Sequence, residues 1–181
     1  MADTATAFGI GDTVPAFTLT DTEGVRHEVP ADEAPPATVL IQTCNHCPYV
    51  IAWNPRLRAV FEEYAPRGVR FLAVNSNNPE THPADSPERM ARFVREQGWP
   101  IPYAFDDSQD VVRALGAQRT PELFVLDGEQ RLAYHGAPDS DPHDAAHDAG
   151  WLRAALDAVL AGETPAQAET PARGCSIKWR S

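Results

Sequence analysis

The chain has 181 residues, of which 43% are hydrophobic and 23% charged, which fits one soluble α/β domain with its own core. Its formal net charge of −11 disfavours a nucleic-acid or anionic-membrane surface, because such surfaces need clustered Lys and Arg. The segment from Met1 to Phe8 lacks the pattern of a signal peptide, and no stretch approaches the roughly 20 apolar residues of a membrane span. We therefore expect a cytoplasmic protein with neither nucleic-acid nor membrane partners.

The first half of the chain predicts a hairpin followed by a strand, a helix and a strand. Apolar alternation and a central turn indicate the hairpin over 16–29. Buried strands are predicted over 38–42 and 69–74, with an intervening helix over 48–65 that is kinked at Pro55. This order implies that the two buried strands lie parallel.

The second half predicts three more helices, one hairpin and a tail. The helices are expected over 86–98, 108–115 and 151–160, and the hairpin over 123–134. We assign residues 1–161 to one domain. Residues 162–181 begin as a Pro-, Ala-, Glu- and Thr-rich flexible linker and end in the denser segment 174–179.

Two of the three cysteines, Cys44 and Cys47, form a C-x-x-C pair between the predicted strand and helix. The unpaired N–H groups and positive end of a helix stabilise a thiolate, and the pKa of such a cysteine falls from about 8.5 to between about 3.5 and 7.5. We predict that Cys44 is the exposed nucleophile and that Cys47, one turn inside the helix, is shielded and resolves mixed disulfides. His46 lies between them and is a third catalytic candidate, since an N–H-donating imidazole favours the thiolate and raises the reduction potential.

Two alternatives to this interpretation stay open. The cysteine pair is also half of a zinc site, which would need two further ligands, and His46 and Cys175 are the residues that could supply them. His46 is also compatible with a solvated loop histidine that has no electronic role.

Further along the chain, Arg119-Thr120-Pro121 directly precedes the strand of the predicted hairpin. Here the sequence resembles the thioredoxin superfamily, in which a cis-proline faces the C-x-x-C motif and leaves a free backbone edge for a substrate chain. The resemblance implies that Thr120 and Pro121 bind substrate, and we add Asn45 of the cysteine motif to these candidates. An ordinary trans proline at the start of a strand is the alternative.

A set of motifs from about Gly11 to Trp179 narrows this resemblance. The motifs are Cys44-Asn-His-Cys-Pro-Tyr-Val50, Val74-Asn-Ser-Asn77, Asp85-Ser-Pro-Glu88, Gly116-Ala-x-x-Thr-Pro-Glu122 and Gly174-Cys-Ser-Ile-Lys-Trp179. Together they resemble the peroxiredoxin-like branch of thioredoxin-fold proteins, often labelled AhpC/TSA or redoxin. The resemblance implies a thioredoxin-like α/β fold, with a central mixed sheet flanked by helices, an N-terminal β-hairpin extension and a C-terminal tail.

The favoured function is thiol–disulfide exchange on protein or low-molecular-weight disulfides, with a thioredoxin-type reductant as a candidate partner and with no cofactor or metal. A thiol peroxidase is the runner-up. Peroxiredoxin sites resemble Pro-x-x-x-Thr-x-x-Cys, but the residues three before Cys47 and Cys44 are Cys44 and Ile41, so neither supplies a hydroxyl. A non-catalytic or zinc-binding module is the third alternative. The position of the buried acid of thioredoxin is occupied by Thr38, so deprotonation of Cys47 needs another group.

The end of the chain, Gly174 to Trp179, is predicted to dock as an ordered latch. It combines apolar and cationic residues with the last cysteine, Cys175, our candidate third redox cysteine. A flexible linker over 162–174 would span roughly 20 Å, enough to bring Cys175 to the neighbourhood of Cys44. A frayed end with a free thiol is the alternative.

Overall fold

The structure is a computed structural model that describes residues 8–181. Residues 1–7, which carry most of the segment without a signal-peptide pattern, lie outside the described residues. The described elements are β1 (Phe17–Thr20), β2 (Arg26–Val29), β3 (Ala37–Gln42), α1 (Pro48–Tyr64), β4 (Val69–Asn75), α2 (Pro87–Gln97), β5 (Tyr103–Phe105), α3 (Asp110–Leu115), β6 (Arg119–Thr120), β7 (Glu122–Leu126), β8 (Leu132–Gly136), α4 (Gly150–Leu160) and β9 (Cys175–Ser176). In this part of the chain, no helix has the length and apolarity needed to cross a membrane.

A mixed sheet of five strands in the order β5-β4-β3-β7-β8 forms the centre of the fold. Strands β3, β4 and β5 run parallel, whereas β7 is antiparallel to both β3 and β8. All six residues of β3 are buried because both faces of this central strand are covered. The mixed sheet with flanking helices and the separate β1–β2 hairpin confirm the predicted fold class.

Apolar side chains fill both faces of the sheet. On one face, α1 and α4 contribute Trp53, Leu57, Phe61 and Leu156 to a cluster that includes Val39. On the other face, α3 and the N-terminal hairpin pack around Leu40. Because side chains alternate between the two faces of a sheet, neighbouring residues of β3 contribute to two different cores. This packing on both faces fixes the position of the strand and of the residues that follow its end.

Helix α1 agrees with the predicted helix to within one residue, whereas one strand of the central sheet was not predicted. Helix α1 runs from Pro48 to Tyr64 as one element through Pro55, its buried face packed against the sheet. Strand β5 was not predicted. It has three residues, too few for a period-two pattern, and it joins the sheet at an edge by pairing with β4.

The chain after α4 also differs from the predicted flexible linker. The backbone N–H of His135 in β8 donates to the carbonyl of Ala168 over 2.9 Å, and that of Thr170 donates to the carbonyl of His135 over 3.0 Å. Thr170 is buried, and its hydroxyl lies 2.6 Å from that of Tyr134. This segment has a composition typical of linkers, but it contains a buried polar residue, Thr170, whose contacts hold it against the edge strand β8.

Candidate active site

The cysteine pair lies where β3 gives way to α1. Strand β3 ends at Gln42, and Cys47 is the N-cap residue of α1 with Pro48 in the first turn. Our prediction that Cys47 lies one turn inside the helix is wrong. Proline has no backbone N–H to lose and its fixed φ suits the first helical position, so Pro48 starts the helix immediately after the motif.

Both sulfurs are shielded from solvent. Cys44 is 3% exposed and Cys47 is 0% exposed, so the prediction of an exposed Cys44 is wrong as well. Cys44 borders a cavity of about 10 Å³ lined by Phe93, Trp99 and Tyr103, space for about one water. Three aromatic side chains that are distant from Cys44 in sequence thus shield its sulfur, which the C-x-x-C motif alone would leave exposed to solvent.

The two thiols are electrostatically unequal. Hydrogen bonds from the Cys44 thiol, the Cys175 thiol and the backbone N–H groups of Val50 and Cys175 lower the pKa of Cys47 to about 4. The pKa of Cys44 is raised, first because its thiol donates to Cys47, and further by burial and by the charge of Asp85. The positive end of α1 therefore acts on the second cysteine, and these surroundings favour the thiolate on Cys47 over that on Cys44.

Thr120 lies against both sulfurs. Its hydroxyl oxygen is 3.5 Å from Cys44 Sγ, and its carbonyl oxygen is 3.2 Å from Cys47 Sγ. The Thr120–Pro121 peptide bond is cis, as the resemblance implies. Behind it, the buried carboxylate of Glu122 accepts from the backbone N–H groups of Gln118 and Arg119 over 2.7 and 2.9 Å, which holds the loop in place.

The backbone edge at Thr120 is not free, contrary to the expectation from the resemblance. Strand β9 pairs with it antiparallel, with Thr120 opposite Cys175 and Arg119 opposite Ser176. The approach is close because residue 174 is glycine: a Cβ on Gly174 would lie 1.9 Å from the carbonyl oxygen of Thr120. The chain's own tail thus occupies the edge where we expected a substrate chain.

The rest of the tail is anchored beside the site. Ile177 is buried in the core cluster around Leu40. The backbone N–H of Lys178 donates to the side-chain oxygen of Asn77 over 2.9 Å, and its carbonyl accepts from the backbone N–H of Asn78 over 2.8 Å. These contacts bring Cys175 Sγ to 2.8 Å from Cys47 Sγ. The tail thus brings its cysteine to the neighbourhood of Cys44, as expected, and the sulfur that it contacts there is that of Cys47.

His46 faces a buried acid. Its Nδ1 lies 2.5 Å from Asp85 Oδ2, and Asp85 has no solvent exposure. Asp85 also accepts from the backbone N–H of Asn45 over 2.7 Å and from the side-chain amide of Asn77 over 2.9 Å. Any positive charge on His46 is therefore matched by a nearer negative charge, which opposes its effect on the thiolate of the pair.

Asn45 is fully engaged within the protein. Its side-chain amide donates to the carbonyl of Ala84 over 3.0 Å, and its oxygen accepts from the hydroxyl of Tyr103 over 3.0 Å. These contacts lock the loop that carries Cys44. Asn45 thus supports the site, and its predicted role in binding substrate remains a prediction.

Among residues 8–181, one group of side chains could hold a metal ion. A sulfur of Cys44, a ring nitrogen of His46 and a carboxylate oxygen of Asp85 lie within 4.8 Å of one another. Three donors of these types match a zinc site with one open position. Asp85, unlike His46, was not among our predicted ligands.

Sequence reasoning missed the roles of Asp85, Asn77 and Glu122. Each belongs to one of the motifs that carried the resemblance, so a signal was present without an assigned role. Asn77 explains why separate motifs occur together, because it joins Asp85 below the cysteine loop to Lys178 in the tail. Contacts of this kind between distant segments are not visible in local spacing.

The fold and the cysteine pair define a thioredoxin-like protein with a C-x-x-C site. A model of the AhpC/TSA family matches residues 10–135, and the chain belongs to this family. It is 27% identical over 122 residues to the thiol-disulfide oxidoreductase ResA of Geobacillus thermodenitrificans, covering 67% of this chain and 66% of the relative. The chain thus spans slightly less than two thirds of that relative's length.

Two solved structures are similar to this chain over most of its length. An uncharacterized conserved protein from Geobacillus kaustophilus is 37% identical with a TM-score of 0.90, and the match covers 97% of this chain and 94% of that one. A thiol:disulfide interchange protein of the thioredoxin family from Chlorobium tepidum has a TM-score of 0.66 at 16% identity, covering 85% of this chain and 99% of that one. The second comparison confirms the thioredoxin-like fold.

Proposed function

We propose that the protein is a thiol–disulfide oxidoreductase in which Cys44 and Cys47 form the redox pair. The observation that carries this proposal is the position of the two sulfurs at the N-terminus of α1 with Thr120 against both, its hydroxyl oxygen 3.5 Å from Cys44 Sγ and its carbonyl oxygen 3.2 Å from Cys47 Sγ. The lowered pKa of Cys47 and the raised pKa of Cys44 support it. A pair with one proton between two sulfurs is ready for exchange. ResA of Geobacillus thermodenitrificans, named a thiol-disulfide oxidoreductase, supports the same activity.

In the proposed reaction, Cys44 attacks first because it alone of the pair has residual exposure. Its proton passes to Cys47, and the Thr120 hydroxyl stabilises the resulting Cys44 thiolate. Attack on a disulfide forms a Cys44 mixed disulfide and releases one thiolate. Cys47 then gives its proton to the thiolate released in the first step and attacks Cys44 Sγ, which forms the Cys44–Cys47 disulfide and releases the second thiolate.

Thr38 occupies the position at which thioredoxin has a buried acid, so another group must help Cys47 to lose its proton. Thr38 is buried at the start of β3, four residues before the strand ends, and offers no carboxylate. In the mixed disulfide Cys44 has no thiol proton to donate, so Cys175 and the helix N–H of Val50 are the groups that still lower the pKa of Cys47. The second cysteine therefore needs no carboxylate as its proton acceptor.

Substrate class follows from the occupied edge. While β9 pairs with β6, a substrate chain has no free backbone at Thr120 to pair with. Low-molecular-weight disulfides avoid this requirement, whereas protein disulfides require the tail to leave. We therefore propose small disulfides as the substrates of the docked state, and a thioredoxin-type dithiol as the reductant.

A matched pair of variants tests the activity. Cys44→Ser is expected to abolish reduction of a small disulfide such as hydroxyethyl disulfide, and Cys47→Ser to accumulate a stable mixed disulfide on Cys44, observed by intact mass. If Cys44→Ser retains turnover, or if the adduct forms on Cys47 in preference to Cys44, the assignment of roles is wrong.

One observation favours a thiol peroxidase as second candidate. The local motif lacks the hydroxyl of a peroxidatic site, but Thr120 brings one to 3.5 Å from Cys44 Sγ. Consumption of hydrogen peroxide with dithiothreitol as reductant tests it. Turnover that depends on both Cys44 and the hydroxyl, lost in Thr120→Val, would favour the peroxidase. No consumption above the rate of free thiol excludes it.

A zinc-binding module remains the third candidate, carried by the cluster of Cys44, His46 and Asp85. Thiol titration combined with metal analysis of the purified reduced protein distinguishes a zinc-binding module from a thiol–disulfide oxidoreductase. Stoichiometric zinc that protects Cys44 from alkylation, and that is lost in Asp85→Asn, would support the module. Metal-free protein with three reactive thiols would exclude the zinc-binding module.

A further inference from the structure

Cys175, in the C-terminal tail, lies next to the redox pair. Its sulfur lies 2.8 Å from Cys47 Sγ, and its backbone is held by the pairing of β9 with β6 and by the burial of Ile177. A disulfide has an S–S bond of about 2.04 Å, so the two sulfurs need to move less than about 1 Å to bond. Of the three cysteines, Cys175 is the most exposed: it is partly buried, whereas Cys44 is 3% and Cys47 0% exposed.

We propose that Cys175 is a relay cysteine, which takes the disulfide over from Cys44 and presents it to a dithiol reductant. This inference rests on the proposed function, because it begins with the Cys44–Cys47 disulfide. In the relay step, the Cys175 thiolate attacks Cys47 Sγ. The Cys47–Cys175 bond forms, the Cys44–Cys47 bond breaks, and its electron pair leaves on Cys44, which takes up a proton. One thiol and one disulfide are present before and after.

The charges around Cys175 change in the direction that this step requires. In the reduced protein, burial and the neighbouring Cys47 thiolate raise the pKa of Cys175 to about 11. Once Cys47 is part of a disulfide it carries no charge, so its contribution disappears, while Lys178 and Arg119 still lower the pKa of Cys175. Formation of the Cys44–Cys47 disulfide thus activates the third cysteine. The departing Cys44 thiolate has the Thr120 hydroxyl beside it.

The second step returns the protein to its reduced state. A reductant thiolate attacks the more accessible sulfur, Cys175 Sγ, and the electron pair of the broken bond leaves on Cys47. Thiol–disulfide exchange is faster when the leaving thiol has a low pKa, and the surroundings of Cys47 hold its pKa near 4 in the reduced protein. The second thiol of the reductant then displaces Cys175, which completes a two-electron reduction.

Gly174 is the structural requirement for the relay. It has a φ of +155°, and a Cβ there would lie 1.9 Å from the Thr120 carbonyl oxygen. Only glycine lets the tail approach the strand closely enough to place Cys175 beside Cys47. The cysteine and the glycine before it therefore act as one unit.

Two variants, each with one cysteine of the pair left, test the relay directly. Cleavage by trypsin after Arg and Lys places Cys44 and Cys47 together in peptide 27–56 and Cys175 in peptide 174–178. After oxidation by one equivalent of diamide and blocking of free thiols with N-ethylmaleimide, Cys44→Ser is expected to join the two peptides within a monomer. Cys47→Ser is expected to give at least tenfold less of this product. Equal yields in the two variants, or none in Cys44→Ser, would overturn the relay.

The wild-type protein separates failure of the relay from failure of the proposed function. With time after oxidation, maleimide label is expected to move from Cys175 to Cys44 as peptide 174–178 becomes joined to 27–56. A disulfide that stays within 27–56 at all times would overturn the relay and leave the proposed function intact. Absence of any intramolecular disulfide would overturn both. Reduction of the oxidised protein by a dithiol should also slow at least tenfold in Cys175→Ser, and an unchanged rate contradicts the second step.

Discussion

The backbone N–H of Val50 points at the sulfur of Cys47, so the positive end of α1 acts on the second cysteine of the motif. A helix starting one turn earlier would direct the same N–H groups at Cys44. The position of Pro48 therefore decides which sulfur carries the resting charge. This relationship determines the chemistry that we expect of the pair.

The first prediction concerns the pH at which the thiolate disappears. Because the pKa of Cys47 is lowered to about 4, thiolate absorbance near 240 nm should persist in the reduced protein as the pH falls from 8 and should be lost only near pH 4. Cys47→Ser should remove this absorbance between pH 5 and 8. Cys44→Ala deletes the strongest hydrogen bond to the thiolate and should raise the midpoint by about one unit or more. A midpoint near that of free cysteine in the wild-type protein would contradict the assignment.

The second prediction concerns Asp85. Its charge raises the pKa of Cys44, so Asp85→Asn should lower that pKa and speed alkylation of Cys44 at pH 7 by about three- to tenfold. A stabilised thiolate also makes the disulfide more oxidising. Glu88→Gln removes the same charge at an exposed position and should leave the rate unchanged. Equal effects of the two substitutions would show that net charge, rather than the contact, is responsible.

The third prediction concerns the docked tail. Gly174→Ala should detach it, because the added Cβ would overlap the Thr120 carbonyl. We expect native trypsin cleavage after Arg173 and maleimide labelling of Cys175 to become at least tenfold faster. Gly162→Ala is the matched control, since Gly162 also has a positive φ but no atom within 4 Å of its added Cβ. Similar acceleration in both variants would mean that local backbone strain, rather than docking, controls the tail.

Most of the fold could be predicted from sequence because its long elements carry strong local patterns. The run over β3 and the capped helix α2, with Ser86 at its start and Gly98 at its end, are examples. Strand β5 escaped because three residues hold no periodicity, and its place is decided by pairing with β4. Thr170 escaped because its buried partner, Tyr134, is distant in sequence.

The identity of the site residues could be predicted from the sequence, but their arrangement in space could not. The C-x-x-C spacing identified Cys44 and Cys47, and their position after β3 followed from the strand pattern. The burial of Cys44 depends on aromatic side chains from α2, β5 and the loop between them. The contact of Cys175 with Cys47, rather than with Cys44, depends on the pairing of β9. Both are long-range contacts, which no local pattern encodes.

The most direct test is a redox titration of the cysteine pair. The protein is equilibrated in buffers that span about −120 to −320 mV, a range that includes known thiol–disulfide proteins, and free thiols are labelled and located in peptides 27–56 and 174–178. We expect a reversible two-electron transition with loss of two labelled thiols per chain. It should be retained in Cys175→Ser and absent from the double variant Cys44→Ser–Cys175→Ser. A Cys175→Ser variant that keeps both thiols of peptide 27–56 labelled across the whole range would contradict this expectation.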